Sequence, residues 1–80
     1  MKGNIYKILN DVNDKVYIGK TLHSIEKRFA EHIADSKRKR NESRPLYAAM
    51  NKYGIEHFHV ELIETVDSTL LDEREKYWIQ

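Results

Sequence analysis

The stretch Asn4-Ile5-Tyr6-Lys7-Ile8-Leu9-Asn10-Asp11-Val12-Asn13-Asp14-Lys15-Val16-Tyr17-Ile18-Gly19 decides the fold. Two short segments rich in β-branched and aromatic residues, Ile5 to Leu9 and Lys15 to Gly19, flank the run Asn10 to Asp14. Val, Ile and Tyr suit a pleated, half-buried surface, whereas Asn and Asp side chains bond their own backbone in turns. The pattern predicts a β-hairpin. Further on, Phe58, Val60 and Leu62 alternate with His59, Glu61 and Ile63, which predicts a third strand with one face in the core.

Helical signals fill the space between. Ser24 stands as an N-cap before Ile25, Phe29, His32 and Ile33, which share one helical face and predict a first helix over 24–36. Ser36 to Arg44 has no apolar residue and predicts a solvated connection. Pro45 suits the opening turn of a second helix, Leu46 to Tyr53, which Gly54 can end in a left-handed conformation. Asp67 or Ser68 caps a last helix from Thr69 to the end, with Asp72 and Glu73 where the helix dipole favours acids. The order strand, strand, helix, helix, strand, helix predicts an α/β (α+β) domain, a small three-stranded sheet with helices laid on it.

Composition agrees with one small folded unit. Eighty residues leave room for a single domain. Leu, Ile, Val and Phe make up 20 of the 80 residues, above the ~20% below which highly charged chains stay disordered. Without cysteine there is no disulfide and no thiolate metal site, so the fold must rest on its core. The polar start and the lack of any apolar run near ~18 residues predict no signal peptide, no membrane partner and a cytoplasmic location. The net charge of +1 conceals two halves of opposite sign. Residues 1–54 carry 12 Lys/Arg against 6 Asp/Glu, and residues 55–80 carry 2 against 7. Either the first half meets a polyanion, or the two halves simply attract each other.

Function must come from residues that break the packing pattern. Glu75 lies between Leu71 and Trp78 on the apolar stripe of the last helix, where a bare charge is costly. It is therefore at an exposed edge, paired with Arg74 or Lys76, or held where its charge is used, as for Mg²⁺. Arg28 and His32 form an i, i+4 pair beside the apolar face of the first helix, and Arg28 alternatively pairs with Glu31. Tyr6 and Tyr17 fall in the middle of the two hairpin strands. A phenol, a guanidinium, an imidazole and a carboxylate together supply a proton acceptor, a cation for phosphate and a metal ligand. No Gly-rich phosphate loop or Ser/His/Asp order competes with this set.

Asn4-Ile5-Tyr6, Tyr17-Ile18-Gly19, Arg28, His32 and Glu75 together resemble the signature of the GIY-YIG nucleases, with ten residues between the two tripeptides. The stretches Ser24 to Phe29, Pro45 to Gly54 and Glu73 to Ile79 resemble the phage and intron homing endonucleases of that family. The resemblance runs through nearly the whole chain, with Asn4 in place of the first glycine of the motif. It implies a three-stranded antiparallel sheet flanked by three helices and divalent-metal-dependent cleavage of DNA, with Mg²⁺ or Mn²⁺ as cofactor.

By the same resemblance Glu75 is the metal-binding carboxylate, and Arg28 steadies the scissile phosphate. Tyr6 activates the attacking water, His32 receives or relays its proton, and Tyr17 orders water and phosphate. A phenol with pKa near 10 is a poor base at neutral pH, so Lys20 is the rival base and otherwise a DNA contact. Lys37, Arg38, Lys39 and Arg40 are candidate contacts to the DNA backbone, or a solvated loop. The family's later asparagine has no counterpart before Gln80. Residues 1–80 are therefore expected to be a monomeric catalytic domain cut short at its C-terminus, with a DNA-binding domain beyond. The other readings are a non-catalytic nucleic-acid-binding module and a repair or restriction nuclease of the same family.

Overall fold

A computed structural model describes residues 1–41 and 44–79. Three strands, β1 (Lys2–Asn10), β2 (Val16–Thr21) and β3 (Phe58–Asp67), form one antiparallel sheet in the order β2-β1-β3. Three helices accompany it, α1 (Ile25–Ser36), α2 (Pro45–Tyr53) and α3 (Leu71–Ile79), with single 3₁₀ turns at Lys39–Asn41, Ile55–His57 and Ser68–Leu70. No helix among the described residues is long and apolar enough to cross a membrane.

The local signals act as expected. Asn10 Oδ1 accepts from the backbone N–H groups of Val12 and Asn13 at 2.9 and 2.8 Å, which turns the chain from β1 into β2. Ser24 Oγ accepts from Lys27 N at 3.1 Å and caps α1. Pro45 opens α2, and Gly54 ends it at φ +101°, a conformation that favours glycine. Asp67 caps the 3₁₀ turn at Ser68–Leu70, so the last helix proper begins at Leu71, two residues later than the expected Thr69. Helix starts often tighten in this way.

As the central strand, β1 is covered on both sides. Alternation puts Tyr6, Ile8 and Asn10 on one face, and Tyr6 and Ile8 join Tyr47, Met50 and Phe58 in the main core. Gly3 lies on the other face against the Leu71 side chain of α3, with no room for a Cβ between them.

Two expectations need correction. The face of β3 that starts with buried Phe58 does not stay in the core, because Leu62 is 51% exposed. β3 is an edge strand, and its register with β1 shifts between Ile5 and Tyr6, with Ile63 left as the extra residue. The stretch expected as a solvated connection, Ser36 to Arg44, is not wholly solvated either, since α1 runs through Ser36. Ser36 is buried; its Oγ donates to Ile33 O at 2.7 Å and its carbonyl accepts from Asn51 Nδ2 at 3.0 Å. Once bonded in this way, the small hydroxyl is buried at little cost. Glu42 and Ser43 of this connection lie outside the described residues.

Candidate active site

β1, β2, α1 and α3 each contribute to one cleft of about 290 Å³ lined by Tyr6, Tyr17, Gly19, Lys20, Arg28, His32 and Glu75. All five residues expected to carry the chemistry therefore meet in one place. Tyr6 reaches the cleft from the core face of β1 and is only 2% exposed. Its strand partner on β2 is Gly19, the last residue of the second tripeptide.

Arg28 and His32, one helical turn apart on α1, line the cleft together with Tyr6. Tyr6 Oη lies 2.7 Å from His32 Nε2, and the positive charge of Arg28 opposes the effect of burial on the same phenol. Arg28 Nη1 also donates to Glu31 Oε1 at 3.0 Å, so the ion pair allowed by the sequence is present as well. Burial pushes the Tyr6 phenol above its ordinary value, against the opposing pull of Arg28. Burial, with Arg28 beside it, holds the His32 imidazole below its ordinary value. His32 is consequently neutral at pH 7 and is a stronger base than the phenol it touches.

Glu75 comes from α3 and is partly buried, but its partner is neither Arg74 nor Lys76. Arg74 pairs instead with Glu64 of β3, with Nε donating to Oε1 at 2.5 Å. Lys20 Nζ lies 3.7 Å from Glu75 Oε1 and bonds more closely to Asp72, one helical turn before it. The hydrogen bond to Asp72 is the main reason that the Lys20 ammonium is held above its ordinary value. Both carboxylates favour the charged ammonium.

Other residues lie apart from the cleft or meet partners that the sequence does not mark. Lys37, Arg38 and Lys39 lie outside the cleft; with Asn51 and Lys52 they line a separate groove of about 780 Å³. Arg40 is exposed in the 3₁₀ turn. Asn4, in place of the first motif glycine, ties elements together. Its Nδ2 donates to His23 O and its Oδ1 accepts from Thr65 Oγ1, each at 2.9 Å. Tyr47 of α2 was unforeseen: its Oη lies 2.8 Å from His32 Nδ1. The only local hint was a tyrosine on the inward face of a short helix, where a buried hydroxyl needs a partner. Asp72 has the place of a dipole acid in the sequence, and nothing local marks it as the partner of Lys20.

The donor set suits a hard cation. Mg²⁺ is commonly held by one or two carboxylates together with substrate phosphate and water, and Glu75 offers one carboxylate inside the cleft. Among the described residues no group of three or more His, Cys, Asp or Glu could form an all-protein cage.

Comparison with known proteins agrees with this arrangement. The family model of the GIY-YIG catalytic domain matches residues 2–80. The chain is 35% identical over 82 residues to intron-associated endonuclease 1 of enterobacteria phage T4, covering all of this chain and 33% of that protein. It is 47% identical over 58 residues to the uncharacterized protein 019R of invertebrate iridescent virus 6, covering 72% of this chain and 20% of that one. The chain thus spans a third or less of the length of these relatives. The E75A mutant of the catalytic domain of intron endonuclease I-TevI superposes with a TM-score of 0.83 at 34% identity, over 99% of this chain and 81% of that one. A second structure of the catalytic domain of that homing endonuclease gives 0.80 at 33% identity, over 96% and 84%. With the signature residues gathered in one cleft and the family model matched almost end to end, this chain belongs to the GIY-YIG catalytic domain family.

Proposed function

We propose that this chain is the catalytic unit of a DNA endonuclease of the homing type that hydrolyses phosphodiester bonds with Mg²⁺ or Mn²⁺ held at Glu75. The observation that carries this reading is the convergence of Tyr6, Tyr17, Arg28, His32 and Glu75 on one cleft. Bound there, the cation would neutralise phosphate charge and acidify a nearby water.

The chain's own side chains divide the remaining work. Arg28 has donors to spare beyond its bond to Glu31 and binds a phosphate oxygen, whose charge grows as the water attacks. Tyr6 accepts a proton from that water as its own passes to the neutral His32 Nε2, 2.7 Å away. The phenol is thus a conduit and the imidazole the base, which removes the difficulty of a tyrosine whose pKa is raised by burial. Tyr17, on the cleft wall, orders water and phosphate. Lys20, as an ammonium, contacts DNA rather than taking the proton. Lys37, Arg38, Lys39 and Arg40 hold the backbone beyond the cleft, where neutralised phosphates add affinity without sequence preference.

The test is cleavage of supercoiled plasmid by the parent chain, Glu75→Ala and Arg28→Ala in Mg²⁺, Mn²⁺ and EDTA, with circular dichroism to verify folding. Metal-dependent nicking that both substitutions abolish is the expected result. A folded Glu75→Ala as active as the parent refutes the assignment. A folded parent that binds DNA and never cuts it favours a binding module instead.

A further inference from the structure

Tyr47 has no part in the roles above, yet it completes a three-member chain through the middle of the protein. Its hydroxyl is 2.8 Å from His32 Nδ1, while the Tyr6 hydroxyl is 2.7 Å from Nε2 of the same ring. Tyr6 and Tyr47 are 2% and 5% exposed, and both bonds are partly buried. α2 holds Tyr47 in place, since Met50, one turn on, is buried in the same core.

A neutral imidazole has one N–H and one lone pair, so one phenol must donate to the ring and the other accept from it. The relay role read for this pair breaks the tie, because a ring that takes the Tyr6 proton must turn the Nε2 lone pair to that hydroxyl, 2.7 Å away. The Tyr6 hydrogen is then directed to Nε2. The ring hydrogen must lie on Nδ1, and Tyr47 Oη accepts it.

We infer that Tyr47 is a positioning residue that holds His32 as the Nδ1–H tautomer, with the Nε2 lone pair kept on Tyr6. This rests on the reading of Tyr6 and His32 as the proton-accepting arm of DNA hydrolysis. The protons balance. As the water oxygen bonds to phosphorus, its proton passes to Tyr6 and the Tyr6 proton to Nε2, leaving an imidazolium with a hydrogen on each nitrogen. Tyr47 continues to accept from Nδ1–H throughout. The P–O bond to the leaving strand breaks, its alkoxide takes a proton from solvent, and the imidazolium returns one to solvent through Tyr6. The groups facing the ring are Arg28, Glu31 and Asp35 on its own helix, Tyr6 on β1 and Tyr47 on α2. His32 and Tyr47 also line a neighbouring cavity that includes Tyr17 and Arg44.

Tyr47→Phe keeps the ring and removes the acceptor. Left without its protein partner, the half-buried Nδ1–H loses its stabilisation, and the hydrogen moves to Nε2, where Tyr6 can accept it. That hydrogen then faces Tyr6, and the lone pair that receives the proton is lost. The experiment is long-range ¹H–¹⁵N NMR of the His32 ring in the parent and in Tyr47→Phe at pH 8, without DNA, beside plasmid nicking in Mg²⁺ across pH. Expected are an Nδ1–H pattern in the parent, Nε2–H in the variant, and kcat lower by roughly tenfold, a fraction of what general base catalysis typically supplies, at unchanged KM. Met50→Leu, a packing change in the same helix, should leave the tautomer as it is.

An Nε2–H parent ring overturns the proposal even if Tyr47→Phe fails to fold. So does a folded Tyr47→Phe with the parent's tautomer and rate. The spectra need no cleavage, so a parent that shows the expected tautomer and cuts no DNA refutes the nuclease reading while supporting the placement of the ring hydrogen.

Discussion

Gly19 on β2 lies against the phenol of Tyr6 on β1, so closely that a Cβ at position 19 would collide with the ring and its hydroxyl. The glycine of the second tripeptide is thus a space for the tyrosine of the first. This explains, through packing, why the two tripeptides belong together.

Gly19→Ala must push the Tyr6 ring aside or part the strands. Overpacking of this kind costs about 1–3 kcal/mol. A displacement near ~1 Å at a reacting group costs roughly 100-fold in rate. Thermal unfolding and plasmid nicking are expected to fall together, and a variant with the parent's rate would show that Tyr6 need not be held in this position.

Lys20 lies between Asp72 and Glu75, so any cation at Glu75 competes with an ammonium. Exposed pairs of this type are weak, roughly 1.5- to 5-fold in an equilibrium constant. Lys20→Met is therefore expected to lower the half-saturating Mg²⁺ concentration for cleavage by that factor while cleavage continues. A loss of about 100-fold or more in the metal-saturated rate would instead make Lys20 the base.

His32 makes stability depend on pH near neutrality. Its folded pKa is held below the ordinary 6.5 by burial and by Arg28, so just below that pH the unfolded chain binds a proton that the folded chain does not. Stability therefore rises with pH through this window and is lost as pH falls through it. Glu64, Asp67 and Asp72 are held below their ordinary carboxylate values by Arg74, Thr69 and Lys20, and so act in the same direction only at more acidic pH. The melting temperature is expected to drop between pH 7.5 and 5.5, and to drop less in His32→Asn. An equal drop in both would assign the effect elsewhere.

The basic groove makes a separate prediction. Lys37, Arg38 and Lys39 line it away from the cleft, so they should affect affinity and not chemistry. Each phosphate contact removed should make the plot of log affinity against log salt shallower by about 1. The triple alanine variant is expected to lose about 2–3 of slope in a DNA-binding titration at several salt concentrations, with the rate at saturating DNA unchanged. An unchanged slope would make the run an ordinary solvated surface.

By itself the sequence determined what depends on near neighbours: the hairpin with its Asn10 turn, Ser24 and Gly54 at the helix ends, the i, i+4 placement of Arg28 and His32, and the family signature. These are set by side-chain periodicity and by backbone bonds a few residues long, and they recur in the structure with small shifts in the boundaries. Only the tertiary structure decided which group answers which. Tyr47 meets His32 across 15 positions, and Lys20 meets Asp72 across 52. Such pairs depend on how helices cross a sheet, and no periodicity records that. The same holds for Leu62 and Ser36, whose exposure and burial were set by an edge strand with a register shift and by a neighbouring asparagine. Local pattern chose the chemical groups, and long-range packing chose their partners, because chain entropy limits local signals to short loops while burial rewards contacts at any separation.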